Sequence, residues 1–201
     1  MSNPHWLVQP TLEGEHVRLE PLQPGDGDAL VRAASDGELW KLWYTSVPGP
    51  NTVADYLARA LADRDAGTAM PFLVRDGAGQ AVGSTRFFRM EPDVPRLEIG
   101  FTWYATRVQR TPLNTQAKRL MLGHAFEAMG CAAVEFRTHA FNRRSRAAIE
   151  RLGAHYDGTL RRQMRMPDGH LRDTRVYSLL DNEWPTVRSH LDFALSRGAR
   201  P

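Results

Sequence analysis

The sequence predicts an α/β (α+β) architecture: a mixed, mostly antiparallel central sheet of about seven strands with helices on both faces. Three observations predict it. Short alternating apolar segments, separated by Gly-, Asp- and Pro-rich turns, read as strands joined by hairpins. One segment, 112–129, carries an apolar stripe so wide that its helix must lie against a sheet. The elements follow the order β α α β β β α β α β β α, and the helices after the fourth and fifth strands allow a local crossover.

Each element has a local reason. His16 to Leu22 alternates apolar and polar as a half-buried strand does. Pro24-Gly25-Asp26-Gly27-Asp28 is a turn that introduces a helix through about Ser35. Trp40 to Pro50 is aromatic, ends in Pro-Gly-Pro and reads as a loop, and Thr52 to Arg64 is a second helix. Phe72 to Arg75 and Val82 to Arg89 form a hairpin across Asp76-Gly77-Ala78-Gly79, with another strand at Arg96 to Tyr104. Thr111-Pro112 places an N-cap before a proline at the first helical position. Leu113, Ala117, Leu120, Met121, His124 and Ala128 then share one side, Leu122, Ala125, Phe126 and Met129 widen it, and Gly130 ends the helix. Ala132 to Thr138 is a core strand. Asn142 caps a helix with Ser145, Ala148, Ile149 and Leu152 on one face, ending at Gly153. Strands at 154–164 and 174–180 flank the turn Pro167-Asp168-Gly169, and a last helix runs from about Asn182 to Leu195.

Length and composition narrow the function. The 201 residues suit one domain, 1–201, with a sizeable core. The single cysteine, Cys131, excludes an intrachain disulfide and a cysteine zinc site, and its apolar setting reads as a buried core thiol. No signal peptide or membrane span is apparent, so the expected location is the cytoplasm. The seven histidines lack His-x-x-x-His spacing, and no metal is expected. The net charge is only +3, so the placing of the arginines matters more than their total.

They gather at two helix starts. Arg107-Val108-Gln109-Arg110-Thr111-Pro112-Leu113-Asn114-Thr115 opens one helix, and Asn142-Arg143-Arg144-Ser145-Arg146 opens the next. A helix N-terminus carries partial positive charge and unpaired N–H groups, so acids belong there and cations do not. Neither stretch contains an acid. A bound phosphate would resolve the conflict. The alternative is a pair of ordinary capped helices with arginines in solvent. A nucleic-acid role ranks last, because no basic patch with interleaved aromatics accompanies the clusters.

The element order together with four segments resembles the GCN5-related N-acetyltransferase (GNAT) family, in its RimJ/RimL-like branch. Those segments are Leu12 to Leu22, Leu97 to Trp103, Gln109 to Ala117 and Asn142 to Gly153, and the resemblance spans about Leu12 to Leu191. The family's pyrophosphate loop, Gln/Arg-x-x-Gly-x-Gly/Ala, falls on Gln109 to Asn114, with Pro112 and Asn114 replacing its two small residues. Glycine there lets backbone N–H groups approach phosphate, whereas Pro112 removes one donor and pre-sets the first turn.

The resemblance implies acetyl-CoA as cofactor, with CoA as product, and a primary amine as acceptor, either a peptide N-terminus or a small molecule. It implies cofactor contacts at Phe101, Trp103, Arg107, Gln109, Arg110, Thr111, Leu113, Asn114, Thr115, Asn142, Arg144, Ser145 and Arg146. Glu98 is the implied base and Ser145 the implied acid, with Tyr156 a second possible donor; the family's usual tyrosine position holds Ile149. A backbone N–H between Phe101 and Trp103 would hold the thioester carbonyl. Trp40, Trp43 and Tyr44 border the expected acceptor groove, although such loop aromatics also complete cores or the contacts of a homodimer. A non-enzymatic acyl-CoA sensor on the same fold is the alternative reading.

Overall fold

The computed structural model describes residues 3–166 and 168–198. Pro167, in the expected turn before the last strand, lies outside them. One sheet holds eight strands: β1 (Leu12–Glu13), β2 (Val17–Pro21), β3 (Ala69–Asp76), β4 (Ala81–Glu91), β5 (Arg96–Tyr104), β6 (Ala133–His139), β7 (His155–Arg165) and β8 (Leu171–Leu180). Their spatial order is β1-β2-β3-β4-β5-β6-β8-β7. Every neighbouring pair is antiparallel except β5 and β6, which run parallel. The sequence predicts about seven strands; the eighth is β1, two residues with no room to show a period.

The helices are α1 (Gly27–Ser35), α2 (Val53–Asp65), α3 (Pro112–Gly123), α4 (Arg143–Glu150) and α5 (Trp184–Ser196). The expected single helix at 112–129 is instead α3 followed by a π-helical turn, His124–Ala128, closed by a Met129 N–H to His124 carbonyl bond of 2.9 Å. The apolar stripe is continuous across the change, so periodicity does not reveal it. Gly130 follows at φ +71°, the left-handed conformation that ends the segment.

The sheet separates two cores. On one face Leu113, Ala117, Met121 and Leu122 of α3, Ile149 of α4 and Trp184, Val187 and Leu191 of α5 pack on Phe72, Phe87, Leu97, Ile99, Val134 and Phe136. On the other, Leu30, Ala33 and Ala34 of α1 and Leu57 and Ala60 of α2 pack on Leu73 and Trp103. Helices therefore cover both faces, as expected. Truncating a fully buried Leu or Met here to Ala costs about 2–5 kcal/mol.

β5 changes face partway along. Leu97 and Ile99 point into the α3 core, but Trp103, with the same parity, joins the α1/α2 core. The switch is a bulge: Ser84 pairs with Trp103 while Arg86 pairs with Gly100, so β5 holds one extra residue. Phe101 takes φ +50° there. Gly100 is required beside it, because a Cβ would sit 2.5 Å from the Phe88 ring.

Candidate active site

β5 and β6 pair only at Arg96–Ala133, Leu97–Val134 and Glu98–Glu135. β5 then continues to Tyr104 and β6 to His139 with no further partners between them. Two adjacent parallel strands thus part like a V. Ligands in open α/β sheets favour such a crevice beyond the carboxyl ends of the strands. α3 and α4 begin after those ends, so both arginine-rich helix starts stand at the same end of the sheet.

Glu98 lies at the last paired position of the V and is only 4% exposed. Its Oε2 is 3.3 Å from Arg89 Nη1 and 3.5 Å from Arg137 Nε. Burial pushes its carboxyl up to about 7, against the opposing pull of Arg89, Arg137 and Arg172. A carboxylate held in that range can accept a proton near neutral pH.

The opposite face of β5 hides a second displaced group. Lys118, on α3, is 5% exposed and reaches under the bulge. Its Nζ donates to Thr102 Oγ1 at 2.9 Å and to Thr85 Oγ1 at 3.3 Å. No carboxylate pairs with it among the described residues. Burial alone brings its amine down to about 7.

The helix starts are built as the sequence suggests. Thr111 caps α3, accepting from Leu113 N–H at 3.4 Å while its hydroxyl donates to the Val108 carbonyl at 2.7 Å. Asn142 caps α4, its Oδ1 accepting from Ser145 N–H at 3.0 Å. Neither first turn contains an acid. Arg110, Arg143 and Arg144 are exposed. Arg107 differs: its guanidinium meets Asp76 at 3.2 Å and Gln80 at 2.8 Å, and its N–H donates to Asp36 at 3.0 Å. The acids missing from its own segment come from Asp36, just past the end of α1, and from the β3–β4 hairpin. Arg146 donates to the Ala140 carbonyl at 3.3 Å, and its Nε is buried without a partner. Asn114 Oδ1 is likewise buried and unpartnered, while Gln109 is tied to the Tyr104 carbonyl at 2.8 Å.

The other expected residues divide by face. Leu113 and Trp103 are buried in opposite cores, and Thr115 is buried in the first turn of α3. Phe101 stays 44% exposed and carries the Arg86 guanidinium 4.2 Å over its ring. Trp40 packs on the α1/α2 core. Trp43 is 53% exposed and lies against Tyr44, His139, Phe141 and His170, with ring centroids 5.1–6.1 Å apart. Ser145 is half-buried at the α4 start. Tyr156 sits on β7, separated from β6 by β8, with its hydroxyl engaged by Thr159 and Arg175.

The architecture matches a known family. A family model described as an acetyltransferase (GNAT) domain matches residues 16–155. The chain belongs to the GNAT acetyltransferase family. This GNAT chain is 26% identical over 177 residues to the Bacillus subtilis (strain 168) protein named "Putative ribosomal N-acetyltransferase YdaF", covering 85% of this chain and 94% of that one. A GCN5-related N-acetyltransferase from Brucella melitensis superimposes with a TM-score of 0.82 at 29% identity, covering 94% of this chain and 86% of its own. Mycobacterium smegmatis RimJ, solved with CoA-disulfide, shares the fold at a TM-score of 0.78 and 22% identity, with 98% of each chain covered. No described helix of this GNAT chain is long and apolar enough to cross a membrane.

Sequence reasoning missed Lys118, Arg89, Arg137, Arg172 and His139. A lysine in an otherwise apolar stripe was the one available signal for Lys118. The arginines come from three strands, and only the register of the sheet brings them to Glu98.

Proposed function

We propose that this protein moves the acetyl group of acetyl-CoA to a primary amine, a peptide or protein N-terminus or a small-molecule amine, by direct attack within a ternary complex. The observation that carries the reading is Glu98: a buried carboxyl with its proton affinity near neutrality, at the point where β5 and β6 part.

The residues present suit acetyl-CoA. β5 beyond Glu98 has backbone groups with no β6 partner, and an extended amide-bearing arm can pair with such an edge. The acid-free α3 start and exposed Arg110 favour an anion at the pyrophosphate end, with Arg143 and Arg144 at the same end of the sheet. The buried, unpartnered Asn114 Oδ1 and Arg146 Nε leave one acceptor and one donor for a ligand. When bound, acetyl-CoA supplies the thioester whose acyl group is transferred.

The chain's residues then have distinct tasks. Glu98 takes the proton of the acceptor amine, directly or through water. A bulge N–H between Phe101 and Trp103 holds the carbonyl oxygen, and Lys118 beneath fixes the bulge through Thr102. Ser145, with no partner for its hydroxyl among the described residues, returns a proton to the departing sulfur. Asn142 fixes the turn that carries it. A thiol relay is disfavoured, because Cys131 is buried in the core with its thiol pushed up to about 12. YdaF's name, a putative ribosomal N-acetyltransferase, supports an amine of a protein as acceptor.

Release of free CoA thiol in the presence of acetyl-CoA and an amine panel tests the reading. Thiol release that requires an amine, with stoichiometric acetylated product, is the expected result. CoA binding without transfer to any amine would support the sensor reading instead.

A further inference from the structure

The sheet face around Glu98 carries an excess of fixed positive charge. β6 places Glu135, Arg137 and His139 on one face, opposite the side buried with Val134 and Phe136. The register sets Glu98 beside Glu135, Val176 beside Arg137 and Thr174 beside His139, so Arg172 on β8 shares that face two residues further on. α1 and α2 pack over β4 and β3 and leave this strip to the loop carrying Trp43.

Four guanidinium groups lie on this strip with two carboxylates, and three of them pair. Arg96 pairs with Glu135, and Arg137 reaches Glu135 at 2.8 Å and Glu98 at 3.5 Å. Arg89 reaches Glu98 at 3.3 Å. Arg172 has no carboxylate partner among the described residues; its Nε donates to Thr174 Oγ1 at 3.0 Å. Neighbouring acids are engaged elsewhere: Asp173 accepts from the Arg162 N–H at 2.8 Å, and Asp168 holds His170 at 2.5 Å. Arg172 lowers the proton affinity of both Glu98 and His139, and Asp173 raises that of His139, so even with Asp173 counted three carboxylates face four guanidinium groups.

An acceptor amine arrives as an ammonium. A groove with surplus cations repels an acceptor whose only charge is positive. A second, negative group on the acceptor reverses that balance, and a guanidinium presents the fork that a carboxylate fits. We infer that the acceptor carries a carboxylate close to its reacting amine and that Arg172, on the same sheet face as Glu98, receives it. This rests on the acetyltransferase reading and narrows its substrate class. The carboxylate has two possible sources: the α-carboxylate of a free amino acid, or an acidic side chain at the second position of a peptide.

The test uses the full chain with acetyl-CoA and matched acceptors: peptides beginning Ser-Asp, Ser-Asn and Ser-Lys, together with free serine and serinamide. The expected result is a kcat/KM at least ~10-fold higher for the acidic member of one series, expressed mainly in KM. The peptide series reports a side-chain source and the serine pair an α-carboxylate. Arg172→Gln should bring that ratio close to one, and Arg172→Lys should restore part of it. The neutral acceptor measured on the same variant is the internal reference for folding. Equal rates across charge, a preference for Ser-Lys, or a ratio unchanged in Arg172→Gln would each overturn the inference while leaving acetyl transfer intact. Failure to acetylate any acceptor would sink the acetyltransferase reading and this inference with it.

Discussion

Glu98 and Lys118 sit on opposite faces of the same strand region and are both brought to about 7, one from below and one from above. Burial is the leading cause in each case, yet the surroundings differ. Glu98 lies among arginines beside the opening between β5 and β6, on the face that Trp43 overhangs. Lys118, on α3, has its amine bonded to Thr85 and Thr102 and close to the Met121 sulfur. The comparison teaches that a displaced proton affinity does not by itself mark chemistry. Position separates the two: Glu98 stands where β5 and β6 part, whereas Lys118 donates to the hydroxyls of Thr85 and Thr102 beneath the bulge. On this account Glu98 acts in the reaction and Lys118 positions the bulge.

Substitutions that separate the two roles follow, from largest expected effect to smallest. Glu98→Gln should lower kcat/KM for acetyl transfer by about 10²-fold or more, with CoA affinity by calorimetry nearly unchanged. A variant as active as the parent would remove Glu98 from the mechanism. Lys118→Met should change stability instead. The depressed lysine stays neutral in the fold while the unfolded chain binds a proton between about pH 7 and 10.5. Stability of the parent therefore rises with pH across that window and is lost as pH falls toward 7. Lys118→Met should abolish this rise, a difference of about 3–5 kcal/mol near neutrality read by denaturant unfolding at several pH values.

The corresponding linkage for Glu98 has the opposite sign. Its folded proton affinity is raised, so its contribution is present below about pH 4.5 and lost as pH climbs through about 7. Glu98→Gln should gain about 2–3 kcal/mol at pH 8 relative to the parent while losing activity. A loss of stability there would show that the arginines need the ionised carboxylate more than burial penalises it. Thr102→Val should cost about 1–2 kcal/mol and lower kcat rather than raise KM for acetyl-CoA, since it frees the bulge from Lys118. Trp43→Ala should be the mildest: a few-fold higher acceptor KM and little change in melting, because half the ring is exposed.

Much of the fold was legible in the sequence because its signals are local. Thr111-Pro112 and Asn142 are caps by residue type, and Gly130 and Gly153 end their segments at positive φ. The parting of β5 and β6 was not legible, since it depends on pairing between distant segments. Nor was the bulge, although Gly100-Phe101 contains the residue that needs the space. In the site, Glu98 stood out by motif position, but its environment did not: Arg89, Arg137 and Arg172 are 9, 39 and 74 positions away in sequence. Arg107 shows the converse error of local reading, for its acids were in the hairpin and at Asp36 after α1 rather than beside it.

Glu98 is the group proposed to take the amine's proton. The direct measurement is the pH dependence of kcat/KM for acetyl transfer, in the parent and in Glu98→Gln, with one acceptor across pH 5 to 9. A rise governed by an ionisation near pH 7 in the parent, and its disappearance in the variant, is the expected result. Profiles of the same shape and height in both proteins would contradict it.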